Sequence, residues 1–262
     1  MFFRPLLLTI LLLFALSACE TGVSQPGDAP AQQIIHADTA VTEDIYADID
    51  AWQGNVDGRY PVLMWYRIFG DVVSGYLFYT ENKTGDSIRI IGHTRDSLAR
   101  ILEVWPDGHV SGIWNMELHT SSAEGTWYAP ETGKEYSASL MHIDTAVTIQ
   151  DIKAEGELTG RYEYSYGDKG ARGILKVLQQ SDTVIIGFDN VTGAPAHNLA
   201  VLDAIPLPLN GNEAVYSVTD YGNCAVRIRF YKSFAVVNYI DNRNRCGFGH
   251  NATVDGIYMK IE

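Results

Sequence analysis

Residues 60–80, YPVLMWYRIFGDVVSGYLFYT, decide the fold class. Within residues 72–80, Ser74, Tyr76 and Phe78 fall on one face and Gly75, Leu77 and Tyr79 on the other. That is the two-residue period of an extended strand. Large side chains on both faces imply a sheet curled or packed so that little of it meets water. The pattern continues through residues 87–93, 99–105, 110–118, 125–129 and 136–142, all rich in β-branched and aromatic residues. Turn-forming runs separate these strands at residues 82–86 (NKTGD), 106–108 (PDG) and 131–134 (ETGK). Gly75, Gly92, Gly112 and Gly125 fall inside strands, where glycine marks a bulge or a tight bend of a small barrel.

A second series of strands follows, at residues 160–166, 173–179, 183–188, 197–205, 214–218, 224–231, 234–241 and 256–261. Alternating strand–helix units are absent from the pattern, and so is any long amphipathic helix in either series. The expectation is therefore all-β, with two small antiparallel β-barrel or meander domains in tandem. The first spans 58–143 and the second 158–262, joined by a linker at 144–157; each has an ordinary domain size. Both halves open on the same triplet, Gly58-Arg59-Tyr60 and Gly160-Arg161-Tyr162.

The chain ahead of the first domain reads as an export signal. Arg4 supplies positive charge, residues 6–15 are apolar and uncharged, and Leu16-Ser17-Ala18-Cys19 matches the lipobox of bacterial lipoproteins. Residues 1–18 are then the signal peptide, and Cys19 is the acylated residue that anchors the chain to a membrane. Glu20, being other than Asp, implies delivery to the outer membrane. Residues 19–57 form an acidic tether, with a short helix expected over 42–52 where Ile45, Ile49 and Trp52 sit at helical spacing.

Composition bounds the function. A hydrophobic share of 46% against 19% charged residues belongs to a folded protein, not a disordered tail. The net charge of −13 becomes one unit more negative when Arg4 leaves with the signal, which argues against nucleic acid as a partner. With Cys19 acylated, Cys224 and Cys246 are the remaining thiols in an oxidising compartment. They read as a disulfide staple, free buried thiols being the alternative.

Catalytic motifs are lacking. There is no G-x-S-x-G elbow, H-E-x-x-H helix, P-loop or dinucleotide glycine run. His109 and His119 flank one strand and would stand roughly 30 Å apart on it, too far to share a metal. No cofactor or metal is expected, and the chain does not read as an enzyme. Glu103 and Glu124 are the carboxylates to inspect for a glycosidase pair, although glutamate ordinarily faces solvent. Trp65, Trp105, Trp114 and Trp127 cluster in the first half. On an exposed face, Trp114 and Trp127 would hold a sugar or an apolar ligand; buried, they fill a small barrel, which their alternation favours. In the second half, Arg227, Arg229, Lys232, Arg243, Arg245 and Lys260 outnumber Asp241 and Asp255. Arg227, Arg229, Arg243 and Arg245 make a candidate basic binding face. Arg227 and Arg229 share the strand side opposite Val226, Ile228 and Phe230, and so should point outward.

Four segments together resemble the closing part of lysozyme-inhibitor-like bacterial domains. They are residues 223–230 (NCAVRIRF), 235–237 (AVV), 246–251 (CGFGHN) and 256–260 (GIYMK). The resemblance is close over about the last 50 residues and loose over about the last 100, and it bears on fold before function. It implies a strand cysteine paired with the cysteine of a C-G-F-G-type turn, and a G-x-Y-x-K strand that closes a barrel. The inhibitory S-G-x-x-Y loop of such proteins is not matched, since Ser74-Gly75-Tyr76-Leu77-Phe78-Tyr79 sets its tyrosine one residue further on. The first half, through Gly75-Tyr76, Ser111-Gly112-Ile113-Trp114 and Glu124-Gly125-Thr126-Trp127-Tyr128, is similar to β-meander modules of exported lipoproteins. The functional expectation is an envelope-anchored, non-catalytic binding lipoprotein of lysozyme-inhibitor-like type, its partner a lysozyme or an envelope component. The alternative is a carrier that holds a small ligand or lipid in a barrel interior.

Overall fold

The two-residue period closes on itself twice. The computed structural model describes residues 49–82, 85–145, 149, 152–154, 156–219, 224–240 and 246–261, all within one compact unit, Asp44–Glu262. The expected signal peptide, Cys19 and the expected tether up to residue 48 lie outside the described residues, as do Arg243 and Arg245.

The first barrel comprises β1 (Asp50–Val56), β2 (Tyr60–Phe69), β3 (Val72–Tyr79), β4 (Ile88–Arg95), β5 (Leu98–Val104), β6 (Val110–Leu118), β7 (Ser122–Ala129) and β8 (Lys134–His142). Each strand pairs antiparallel with the next, and β8 returns to β1 with Trp52 opposite His142. The second comprises β9 (Gly160–Ser165), β10 (Arg172–Gln180), β11 (Thr183–Val191), β12 (Leu199–Asn210), β13 (Glu213–Val218), β14 (Cys224–Phe230), β15 (Phe234–Tyr239) and β16 (Gly256–Lys260). It closes where β16 meets β9, with Met259 opposite Glu163. The chain is thus all-β, two eight-stranded antiparallel barrels in tandem.

Two local readings change. Asp50–Trp52, the end of the expected helix, is strand, because Trp52, Gly54 and Val56 alternate into the first barrel and β1 is needed to close it. The repeated triplet does not mark equivalent places. Gly58 sits in the turn before the second strand of its barrel at φ 65°, whereas Gly160 starts the first strand of the other.

Alternation explains the large residues on both faces. In β5, Ala99, Ile101 and Glu103 point into the barrel, while Leu102 and Val104 point out. Those outward side chains are not solvated. Together with Val72, Ile91, Val110 and Ile113 they pack against Phe234, Val236, Ile257 and Met259 of the second barrel. The two barrels share this apolar seam, and the Arg229 guanidinium grips both oxygens of Asp71 across it. A strand glycine that bends the wall is Gly75, where a β-carbon would stand 2.0 Å from the Trp65 carbonyl oxygen. Any side chain there would collide with the adjacent strand.

Candidate functional site

The first barrel is filled at one end and open at the other. Met64, Tyr66, Leu77, Ile90, Ile101 and Trp114 are fully buried in its interior. Towards the ends of the odd strands and the beginnings of the even ones, the packing stops short. A pocket of about 490 Å³ occupies that mouth. Its walls carry Tyr60, Tyr79, Trp105, Trp127 and Tyr136, and Glu103 lies at its base.

Glu103 is buried because β5 alternation turns it inward beside Ile101. Its Oε1 accepts the Tyr79 hydroxyl at 2.7 Å, the Trp114 indole N–H at 2.9 Å and the Trp127 indole N–H at 2.8 Å. Its Oε2 accepts only the Ser111 hydroxyl, at 3.2 Å. All four donors are neutral, and no ion pair reaches this carboxylate among the described residues. Burial pushes its pKa above the usual carboxylate range, and the four donors pull the other way. Tyr79 is driven well above the ordinary phenol range by its own burial and then by the facing carboxylate, so it remains a donor.

The local sequence builds this arrangement. The β5–β6 register slips between Glu103 and Val104, leaving Ser111 as an extra residue that reaches the carboxylate. Gly112 is required beside it, because a β-carbon there would lie 2.4 Å from the Trp127 indole nitrogen and 2.7 Å from Glu103 Oε2. Trp127 then leans on Tyr136, its ring neighbour across β7–β8, at 6.0 Å.

Trp114 and Trp127, proposed as a core pair or a binding face, divide the two roles. Trp114 is wholly core, and Trp127 is a wall of the pocket. Glu103 overturns the expectation of solvent exposure, since strand period outranks the general preference of glutamate for water when enough donors face it. Glu124 projects from the outer side of β7 and is exposed, so it shares no cleft with Glu103. Tyr79, Ser111 and Tyr136 are site residues that the sequence reading did not single out; strand alternation was the available signal for Tyr79 and Tyr136, whereas Ser111 turns in only through the register slip.

The equivalent mouth of the second barrel is closed. The described part of the β15–β16 connection, residues 246–255, folds across it, with Cys246 and Val254 in the core and Phe248 and Ala252 packed against it. Cys246 is bonded to Cys224 at the start of β14. Asn190, buried on β11, donates through Nδ2 to the Thr253 carbonyl at 2.8 Å and to the Tyr258 hydroxyl at 2.6 Å. Two of the basic residues are engaged within the protein. Arg227 pairs with Glu213 at 3.2 Å, and Arg229 points out of its barrel as expected but meets Asp71 of the other barrel rather than water. Among the described residues, no three His, Cys, Asp or Glu side chains converge as a metal site, and no helix is long and apolar enough to cross a membrane.

Fold and site together define a double β-barrel with one open, aromatic-walled mouth. The chain matches no known family model, no curated protein and no solved structure.

Proposed function

We propose that this chain is an envelope-anchored, non-catalytic binding lipoprotein whose first barrel takes a small ligand in its open mouth. The observation that carries the reading is the pocket of about 490 Å³ among five aromatic side chains, with a single buried polar group at its base. That is the size and chemistry of a small-molecule site, apolar walls with few oriented polar atoms. An eight-stranded barrel is just wide enough for its side chains plus one such ligand. The lipobox reading supports an acylated Cys19 and an outer-membrane address.

A lysozyme partner, implied by the C-terminal resemblance, finds less support. The C-G-F-G turn is tied down by Cys246 and Phe248 packed at the core and by its Gly249 N–H bonded to the Leu199 carbonyl at 3.0 Å, and Ser74–Tyr79 lies within β3.

The test uses the chain from Cys19 onward with Cys19→Ser, which keeps the whole compact unit. N-phenyl-1-naphthylamine, a neutral apolar fluorophore, should bind saturably at one site per chain. Ala129→Trp, which fills the mouth, should abolish that binding. Binding that is absent, or indifferent to the filled mouth, overturns the reading. Dose-dependent inhibition of c-, g- or i-type lysozyme in parallel assays would favour the protein-partner reading instead.

A further inference from the structure

An ionised carboxylate away from water is costly unless something answers its charge. At Glu103 four neutral donors answer its lone pairs, three of them on Oε1, and among the described residues no cation reaches it. Oε2, with Ser111 alone, keeps acceptor capacity. Above it stand the rings of Tyr79, Trp127 and Tyr136, with Tyr60 and Trp105 at the exposed rim. Aromatic faces attract cations, tryptophan most strongly, and the attraction grows where water is excluded. Lys134 is the other charged residue lining the pocket, and it is exposed at the outer edge. Among the described lining residues the charged groups are thus a carboxyl at the base and one amine at the outer edge.

We propose that the ligand of this mouth is an organic cation, an amine or quaternary ammonium on an apolar body. The cationic end enters first, towards Glu103. The inference rests on the small-ligand reading above and assigns the chemical class of that ligand.

The probes are phenyltrimethylammonium, its neutral carbon isostere tert-butylbenzene, and the anion benzenesulfonate. Each is titrated into the 15N-labelled chain from Cys19 onward while the five tryptophan indole N–H signals are followed. All five tryptophans belong to the first barrel, and Trp114 and Trp127 report on Glu103 directly. The cation should bind at least tenfold more tightly than its isostere and move the Trp127 signal most, and the sulfonate should not bind. Glu103→Gln should weaken the cation at least tenfold and leave tert-butylbenzene within twofold. Should that variant fail to fold, Lys134→Gln serves at an exposed position; it should strengthen the cation about threefold without altering the isostere.

If tert-butylbenzene binds as tightly as the cation, or the sulfonate binds more tightly, the cationic assignment falls and the small-ligand reading stands. If neither the cation nor its isostere binds while N-phenyl-1-naphthylamine does, the assignment falls in the same way. If all of these probes fail, both readings fall together.

Discussion

The two barrels share one meander topology and differ at one mouth. In the first, the interior ends on a carboxylate under an open aromatic rim. In the second, a disulfide-anchored segment covers the corresponding end, and a neutral amide holds it down. Strand number and connectivity are therefore silent about function here. What decides it is whether the connection beyond the mouth folds in, and whether the last inward polar residue is matched by the protein alone. Asn190 is matched on both sides, accepting the Ile174 N–H at 3.2 Å and donating to Thr253 and Tyr258. Glu103 is matched for hydrogen bonds but not for charge.

Exchanging the two polar groups breaks the comparison most severely. Asn190→Asp places a carboxylate against the Thr253 carbonyl with no donor of its own at neutral pH. It should cost about 4 kcal/mol, the loss expected when a buried charge is left without a partner. Urea unfolding followed by tyrosine fluorescence measures it, and the loss should shrink as acid protonates the new group.

Next comes the staple. Cys224→Ser with Cys246→Ser should cost about 3 kcal/mol, from the loop of unfolded chain that the bond closes. Because every tryptophan lies in the first barrel, tryptophan fluorescence follows that barrel by itself. If the tryptophan transition shifts as far as the far-ultraviolet circular dichroism transition, the seam between the barrels makes them one cooperative unit. If it shifts less, they unfold separately.

Glu103→Gln sharpens the contrast through pH. The folded-state pKa of Glu103 is raised, so the native state holds its proton more tightly than the unfolded chain. Its effect on stability is then most favourable below the ordinary carboxylate range and declines as pH rises through the raised value. The variant should remove this decline, seen as a flatter profile of urea midpoint against pH.

The smallest effect is expected at the seam. The Arg229 guanidinium holds the Asp71 carboxyl below its usual range, so that pair stabilises above the ordinary aspartate pKa and is lost as pH falls through the lowered one. Asp71 is half exposed, so solvent screening limits Asp71→Asn to about 1 kcal/mol or less. Its check is the acid limb of the same midpoint profile.

Much of this molecule was legible in particular residues. Residues 60–69 and 110–118 mark β2 and β6 at both ends, because aromatic and β-branched residues in alternation have few other ways to fold. Gly75 and Gly112 announced tight places in the wall. β1 was the strand missed, since the acidic residues before Asp50 share its surroundings and Ile45, Ile49 and Trp52 mimic a helix. The site was half legible. The parity of β5 sets Glu103 on the side of Ile101, but the preference of glutamate for water pointed to solvent, and nothing local says that Tyr79, Trp114 and Trp127 would bring their donors to it. Tyr79 and Trp127 each lie 24 positions away in sequence.

The sequence by itself determined the strands other than β1 and the pairing candidates for the staple, because these depend on side-chain period and on the count of cysteines. Tertiary structure alone decided which mouth stays open, that Arg229 is spent on Asp71, and that a glutamate can lie in the core. Each of those outcomes depends on groups far apart in the chain meeting in space. Barrel closure sets those meetings, and local pattern carries no record of them.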